Sequence, residues 1–187
     1  MLEAKDIGAD GILGLDSLRS QKVVFDFAKD TLTILAANAP AAIEPGAIVV
    51  RARRRDGRLV ITNALIDGDK VGVVLDTGAA LSIGNAAMRA RLTEKGLLKV
   101  VGPITLHSVT GQPLVGELAV IDRIVIGGVR IERLNVVFAE AHTFGQLGLD
   151  RKPAMLLGMN ALRGFEQVAI DFAGRRLSLV PPRKPRA

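Results

Sequence analysis

Gly72-Val73-Val74-Leu75-Asp76-Thr77-Gly78-Ala79-Ala80-Leu81-Ser82 is the stretch on which the reading of this chain turns. The run from Val71 to Leu75 is apolar and rich in β-branched residues, so it reads as a strand, and it delivers one carboxylate, Asp76, to its end. The small residues that follow let the backbone turn sharply and let another segment come close. A strand closing in a tight turn accounts for the Asp and the Gly. It leaves Thr77 and the second apolar run without a reason, so Asp76 stands as a candidate catalytic acid.

Outward from that stretch the signals are those of hairpins. Strands are expected near 48–53 and 58–66, after which Asp67-Gly68 reverses the chain into 70–75. Downstream, Asn85 is placed to cap a helix that carries Met88 and Leu92 on one face and stops at Gly96. Strands 104–110 and 114–121 then flank Gly111-Gln112-Pro113, and 123–126 and 129–137 flank Gly127-Gly128. A second short helix is expected near 159–164. Successive hairpins with two short helical pieces point to an all-β barrel or sandwich rather than a parallel sheet.

Composition narrows the function. Of the 187 residues, 49% are hydrophobic but only 3% aromatic, with no Trp or Tyr, so Val, Ile, Leu and Ala must build the core. The net charge of +6 is concentrated in Arg51, Arg53, Arg54, Arg55 and Arg58 and in the tail Arg183-Lys184-Pro185-Arg186. Without stacking aromatics or a recognition helix these read as a solvated hairpin and tail, and no nucleic-acid partner is expected. No apolar run approaches the roughly 18 residues that a membrane span requires. Met1 to Asp6 lacks the layout of a signal peptide, so the chain as given reads as soluble; a periplasmic or cell-envelope location needs an export signal upstream. The absence of cysteine excludes disulfides, a thiol nucleophile and thiolate metal sites. His107 and His142 lie far apart without acidic neighbours at ligand spacing, Ser82 has no nucleophile-elbow motif, and no metal or cofactor is expected.

An internal repeat sets the organisation. With one single-residue gap, Leu13-Gly14 aligns with Leu157-Gly158, Leu18-Arg19 with Leu162-Arg163, and Asp26-Phe27-Ala28 with Asp171-Phe172-Ala173. Each copy reads as an apolar strand ending in Gly, a short helical turn and an apolar hairpin. Asp26 and Asp171 are expected to stabilise the hairpin turns, and Asp16 and Asn160 to cap the short helices. The second copy closes a domain, so the first is expected to close another. The expected division is 1–35 as the C-terminal portion of a preceding unit, 36–47 as an Ala/Pro-rich linker, and 48–187 as a complete domain with a basic, Pro-rich tail.

The strand with Asp76-Thr77-Gly78-Ala79, the glycine-tipped hairpin Val109-Thr110-Gly111-Gln112 and the late Leu156-Leu157-Gly158 together resemble a retropepsin-like aspartic protease domain of the bacterial kind. The resemblance covers about 48–181, with 12–35 resembling the end of a second such domain. It implies a closed β-barrel of the acid-protease fold and hydrolysis of a peptide or protein substrate by a water held between two Asp side chains. Asp76 is then one of the pair, contributed once per chain or domain, which implies a homodimer or a pseudo-dimer with the upstream repeat. In that pattern Thr77 hydrogen-bonds across to the partner loop, and Gly78 permits close backbone approach. Residues 109–112 are the flap over the substrate, and Leu157 and Gly158 pass behind the active-site loop. Ala79 stands where pepsin-like enzymes carry a hydroxyl. Two other readings remain beside it: a catalytically silent dimerisation or peptide-binding module of the same fold, and a phosphotransferase loop, which lacks here the two large α/β domains it needs.

Overall fold

The computed structural model describes residues 13–40, 46–107 and 113–182. After a one-turn helix α1 (Leu15–Leu18) come β1 (Gln21–Asp26), β2 (Thr31–Ala36), β3 (Ile48–Arg51), β4 (Arg53–Arg55), β5 (Arg58–Ile66), β6 (Asp69–Leu75) and β7 (Ser82–Gly84). Helix α2 (Ala86–Glu94) leads to β8 (Lys99–His107), β9 (Pro113–Ile126) and β10 (Val129–Phe138). The chain ends with α3 (His142–Gln146), β11 (Ala154–Leu157), α4 (Met159–Leu162), β12 (Gln167–Asp171) and β13 (Arg176–Val180).

Two sheets result. The larger runs β4-β5-β6-β11-β7-β10-β9-β8, and β5 also pairs with β9 through Ala64↔Ile126 and Leu65↔Val125, so the hydrogen-bonded path returns on itself across a two-pair seam. Pairing is antiparallel except for β7 with β10 and β6 with β11. The smaller sheet runs β2-β1-β12-β13-β3. Its inner residues Val50, Ile170, Leu177 and Leu179 share one buried cluster with Val73, Leu75, Met155 and Leu157 of the larger sheet.

The unbroken apolar run of β6 follows from burial on both faces. Val73 and Leu75 point into the main cluster, whereas Val74 packs in a second cluster with Phe144, Leu147, Leu149 and Leu156. The covering segment contains α3, which the sequence pattern did not suggest because its one turn carries no cap signal; Phe144 is what anchors it.

Turn chemistry is where the residues demanded it. Asp56-Gly57, Asp67-Gly68 and Gly127-Gly128 all take positive φ at hairpin tips. Asn85 caps α2, its Oδ1 accepting from the Met88 amide at 2.9 Å, and its Nδ2 donates to the Leu149 and Lys152 carbonyls at 2.7 and 2.8 Å. The cap therefore also fastens the helix to the segment entering β11. Two boundaries differ from expectation. β8 begins at Lys99 rather than 104, and β9 runs through Asp122 without a break, that carboxylate being turned outward into an ion pair with Lys99 on the neighbouring strand. The chain also switches sheets at Ala52, whose amide donates to the Arg175 carbonyl at 2.9 Å, so 48–55 is two strands.

Candidate active site

Asp76 leaves the end of β6 where that strand runs parallel to β11, Leu75 opposite Leu157. Its amide donates to the Leu157 carbonyl at 3.1 Å, which fixes where the turn begins. Gly78 then donates its amide to Asp76 Oδ1 at 3.1 Å, and the Ala79 amide donates to the Asp76 carbonyl at 3.3 Å. The carboxylate is thus oriented from its own loop, half-buried, with Thr77 and Gly78 exposed on the rim and Ala79 half-buried behind it.

The far side of the loop is held by the start of α4. Met159 and Asn160 donate their amides to the Ala79 and Ala80 carbonyls at 2.8 and 3.0 Å. Asn160 Oδ1 accepts from the Ser82 amide at 2.9 Å and from Ser82 Oγ at 2.8 Å, and Ser82 Oγ accepts from the Gly158 amide at 3.1 Å. Asn160 Nδ2 reaches the Asn135 carbonyl at 2.8 Å. Both ends of the Asp76 loop are therefore pinned to one short segment of chain, the arrangement a preorganised carboxylate needs.

The packing explains Leu157 and Gly158. Both are buried, and a Cβ at Gly158 would lie 2.6 Å from the Leu81 backbone and 2.9 Å from the Ala79 oxygen, so only glycine allows this approach. Its φ of −86° is open to any residue, and the requirement is purely one of space. Sequence reasoning placed Asn160 as a helix cap, which is corrected here: Gly158 is the N-cap residue of α4 and makes no side-chain cap bond, while the Asn160 side chain serves the Asp76 loop. Ser82, which has no nucleophile-elbow motif around it, has a structural place instead. Its actual place, fully buried between Gly158 and Asn160, could be suspected only from the neighbouring Asn of the repeat.

Behind the site, Arg91 on α2 bonds Asp69 at 2.6 Å and Lys95 adds an ion pair at 3.0 Å. Arg91 first and Lys95 second hold the Asp69 carboxyl down at about 2, well below its ordinary range, and this clamp ties α2 to the hairpin that starts β6. The flap expected at Val109, Thr110, Gly111 and Gln112 lies outside the described residues, although β8 and β9 lead to it with Leu106↔Leu114 and His107↔Pro113 as their last described pairs. Among the described residues no group of His, Asp or Glu is placed to hold a metal ion, and no helix is long and apolar enough to cross a membrane.

Residues 62–161, from within β5 to α4, match the family described as aspartyl protease. This chain belongs to the aspartyl protease family. The match spans the Asp76 loop, β8 and β9, and Leu156-Leu157-Gly158, and so takes in both the loop and the segment that pins it. No curated protein matches this aspartyl protease chain in sequence. Among solved structures it is similar to a retropepsin-like aspartic protease from Rickettsia conorii, with 24% identity, a TM-score of 0.46, and coverage of 72% of this chain and 89% of that one.

Proposed function

We propose that the chain is part of an aspartic endopeptidase in which Asp76 shares a water with a second Asp supplied by another unit. The observation that carries this reading is the loop geometry: a half-exposed carboxylate, rigidly held by Leu157, Gly78 and the α4 start, on an open rim. Among the described residues Asp76 has no neighbouring side-chain carboxylate within hydrogen-bonding distance. Amide hydrolysis by this chemistry needs two such groups sharing one proton.

In the proposed reaction the ionised member of the pair removes a proton from the water as its oxygen adds to the substrate carbonyl carbon. The protonated member donates to the carbonyl oxygen, giving a neutral tetrahedral diol. Proton transfer to the nitrogen then accompanies C–N cleavage, and the dyad returns to its singly protonated state. On this reading Thr77, exposed on the rim, hydrogen-bonds across to the second loop, and Gly78 leaves the two backbones room to meet. The role of a flap, gripping an extended peptide and excluding water, falls on the same reading to Val109, Thr110, Gly111 and Gln112.

The test is peptide-library cleavage by the longest natural form of the protein beside its Asp76→Asn variant. Cleavage by the first and none by the second, at equal thermal stability, is expected. Retained cleavage in Asp76→Asn, or an intact library with the unmodified protein, overturns the reading.

A further inference from the structure

We infer that residues 13–36 are a preformed docking face for a second barrel with its own active-site loop, carried in the same polypeptide ahead of Leu13. This deepens the paired-carboxylate reading and rests on it for function, but its structural grounds are separate.

The first is symmetry. β1 and β12 are equivalent strands of the repeat, and they pair antiparallel as Lys22↔Asp171, Val23↔Ile170, Val24↔Ala169, Phe25↔Val168 and Asp26↔Gln167. Under the repeat alignment Val24 is the counterpart of Ala169, so the register is that of a two-fold axis between these two residues. The flanking bonds obey the same axis: Phe27 donates to the Glu166 carbonyl at 2.9 Å, and Phe172 to the Gln21 carbonyl at 3.2 Å. The turns do so too, with Asp26 Oδ1 accepting from the Lys29 amide at 3.0 Å and Asp171 Oδ1 from the Gly174 amide at 2.6 Å.

The second is what the symmetry leaves unfilled. On the β13 side the sheet is extended by β3 and covered by a barrel, so that Leu177 and Leu179 are 0% and 1% exposed. On the β2 side the counterparts Leu32 and Ile34 are 56% and 42% exposed, and among the described residues no strand pairs with the outer edge of β2. An apolar edge of this kind is a template for another strand. Gly14 makes the same point at atomic scale. Its counterpart Gly158 is glycine because the Asp76 loop presses against it, yet nothing lies within 4 Å of a Cβ built at Gly14. Leu13-Gly14-Leu15-Asp16 is therefore the cradle for a second such loop: the Leu13 carbonyl stands for that of Leu157, and the Leu15 and Asp16 amides for those of Met159 and Asn160.

A second copy of this chain does not fit the face. Its barrel already carries its own residues 157–180 in the place that 13–35 would take, and the edge of β12 that such a copy would need is occupied by β1. The occupant must lack a closing segment of its own. Since in the second copy the barrel strands precede the segment that closes them, the missing barrel belongs ahead of residue 13.

The test tags the protein at Ala187 in its native host and measures covalent mass and oligomeric state. A chain heavier than 19.8 kDa by the mass of a barrel, and monomeric, is expected. In that protein the Leu15 and Asp16 amides should exchange about tenfold or more slowly than in the 187-residue chain alone, and Gly14→Val should lower its melting temperature while leaving that of the 187-residue chain unchanged. A native chain of 19.8 kDa, a symmetric dimer of it, or a Gly14→Val variant silent in the native protein overturns the inference. Loss of the enzyme reading through an active Asp76→Asn would leave mass and exchange as expected, so the two failures are distinguishable.

Discussion

Leu157 and Leu13 occupy the same position in the two copies of the repeat, yet one is 1% exposed and the other 58%. Their surroundings differ in the same sense along the whole unit: Leu162 is fully buried where Leu18 is only partly so, and Phe172 is buried where Phe27 is half-buried. The backbone is nonetheless alike, each copy making its helical turn, its hairpin and its Asp-closed tip. Local structure therefore comes from the segment's own residues, whereas the stabilisation derived from its apolar side chains comes from the barrel packed on them. That distinction can be measured by matched substitutions in the two copies of the 187-residue chain.

The largest contrast is expected at the two glycines. Gly158→Val forces a side chain into the Leu81 backbone and should cost about 3 kcal/mol or more in urea unfolding, since overpacking against backbone cannot relax. Gly14→Val meets open space and should be neutral. Equal losses would mean the copies are not in different surroundings at all. Next come the leucines. Leu177→Ala should cost about 2–5 kcal/mol as a core truncation, and Leu32→Ala should stay within about 0.5 kcal/mol.

A smaller difference separates the polar pair. Asn160→Ala strands the buried Ser82 hydroxyl and should cost about 1–3 kcal/mol, while Asp16→Ala removes only an exposed ion pair with Arg19, of the kind that contributes at most about 1 kcal/mol. The smallest effect tests what is local to one copy. The Lys29 side chain foremost, then the Lys29 amide and Gln167, hold the Asp26 carboxyl below its ordinary value of 3.8. A depressed folded-state pKa gives stability that is present above the unfolded value and lost as pH falls through the folded one. The deficit of Asp26→Asn should therefore be full near neutral pH and shrink as the pH drops below 3.8. A deficit that stayed constant down to acid would show that the turn is held by something other than this charge.

How legible all this was depended on range. The Asp-Gly and Gly-Gly hairpins, the Asn85 cap and the Asp-Thr-Gly turn are settled by residues a few positions apart, and they are where the sequence placed them. The all-β architecture followed from their succession. What escaped was decided across the chain. Asn160 looks like a cap until the Ser82 segment, 78 positions away, is brought against it. Asp122 looks like a break until Lys99 is set beside it on the next strand. The segment around α3 is ordered by Phe144 and Leu147 lying on the outer face of β6 and β11, which no local pattern announces.

The pairing of Val24 with Ala169 joins residues separated by 145 positions. A ribosome adding about 5–20 residues per second needs on the order of ten seconds to bridge that distance. Through that interval the edge of β1 that β12 later takes has no partner, and an unpaired edge is a template for any passing strand. Assembly of the smaller sheet is thus a late event, timed by synthesis of the carboxyl-terminal end, and the nascent chain is most exposed to self-association and chaperone capture just before β12 emerges.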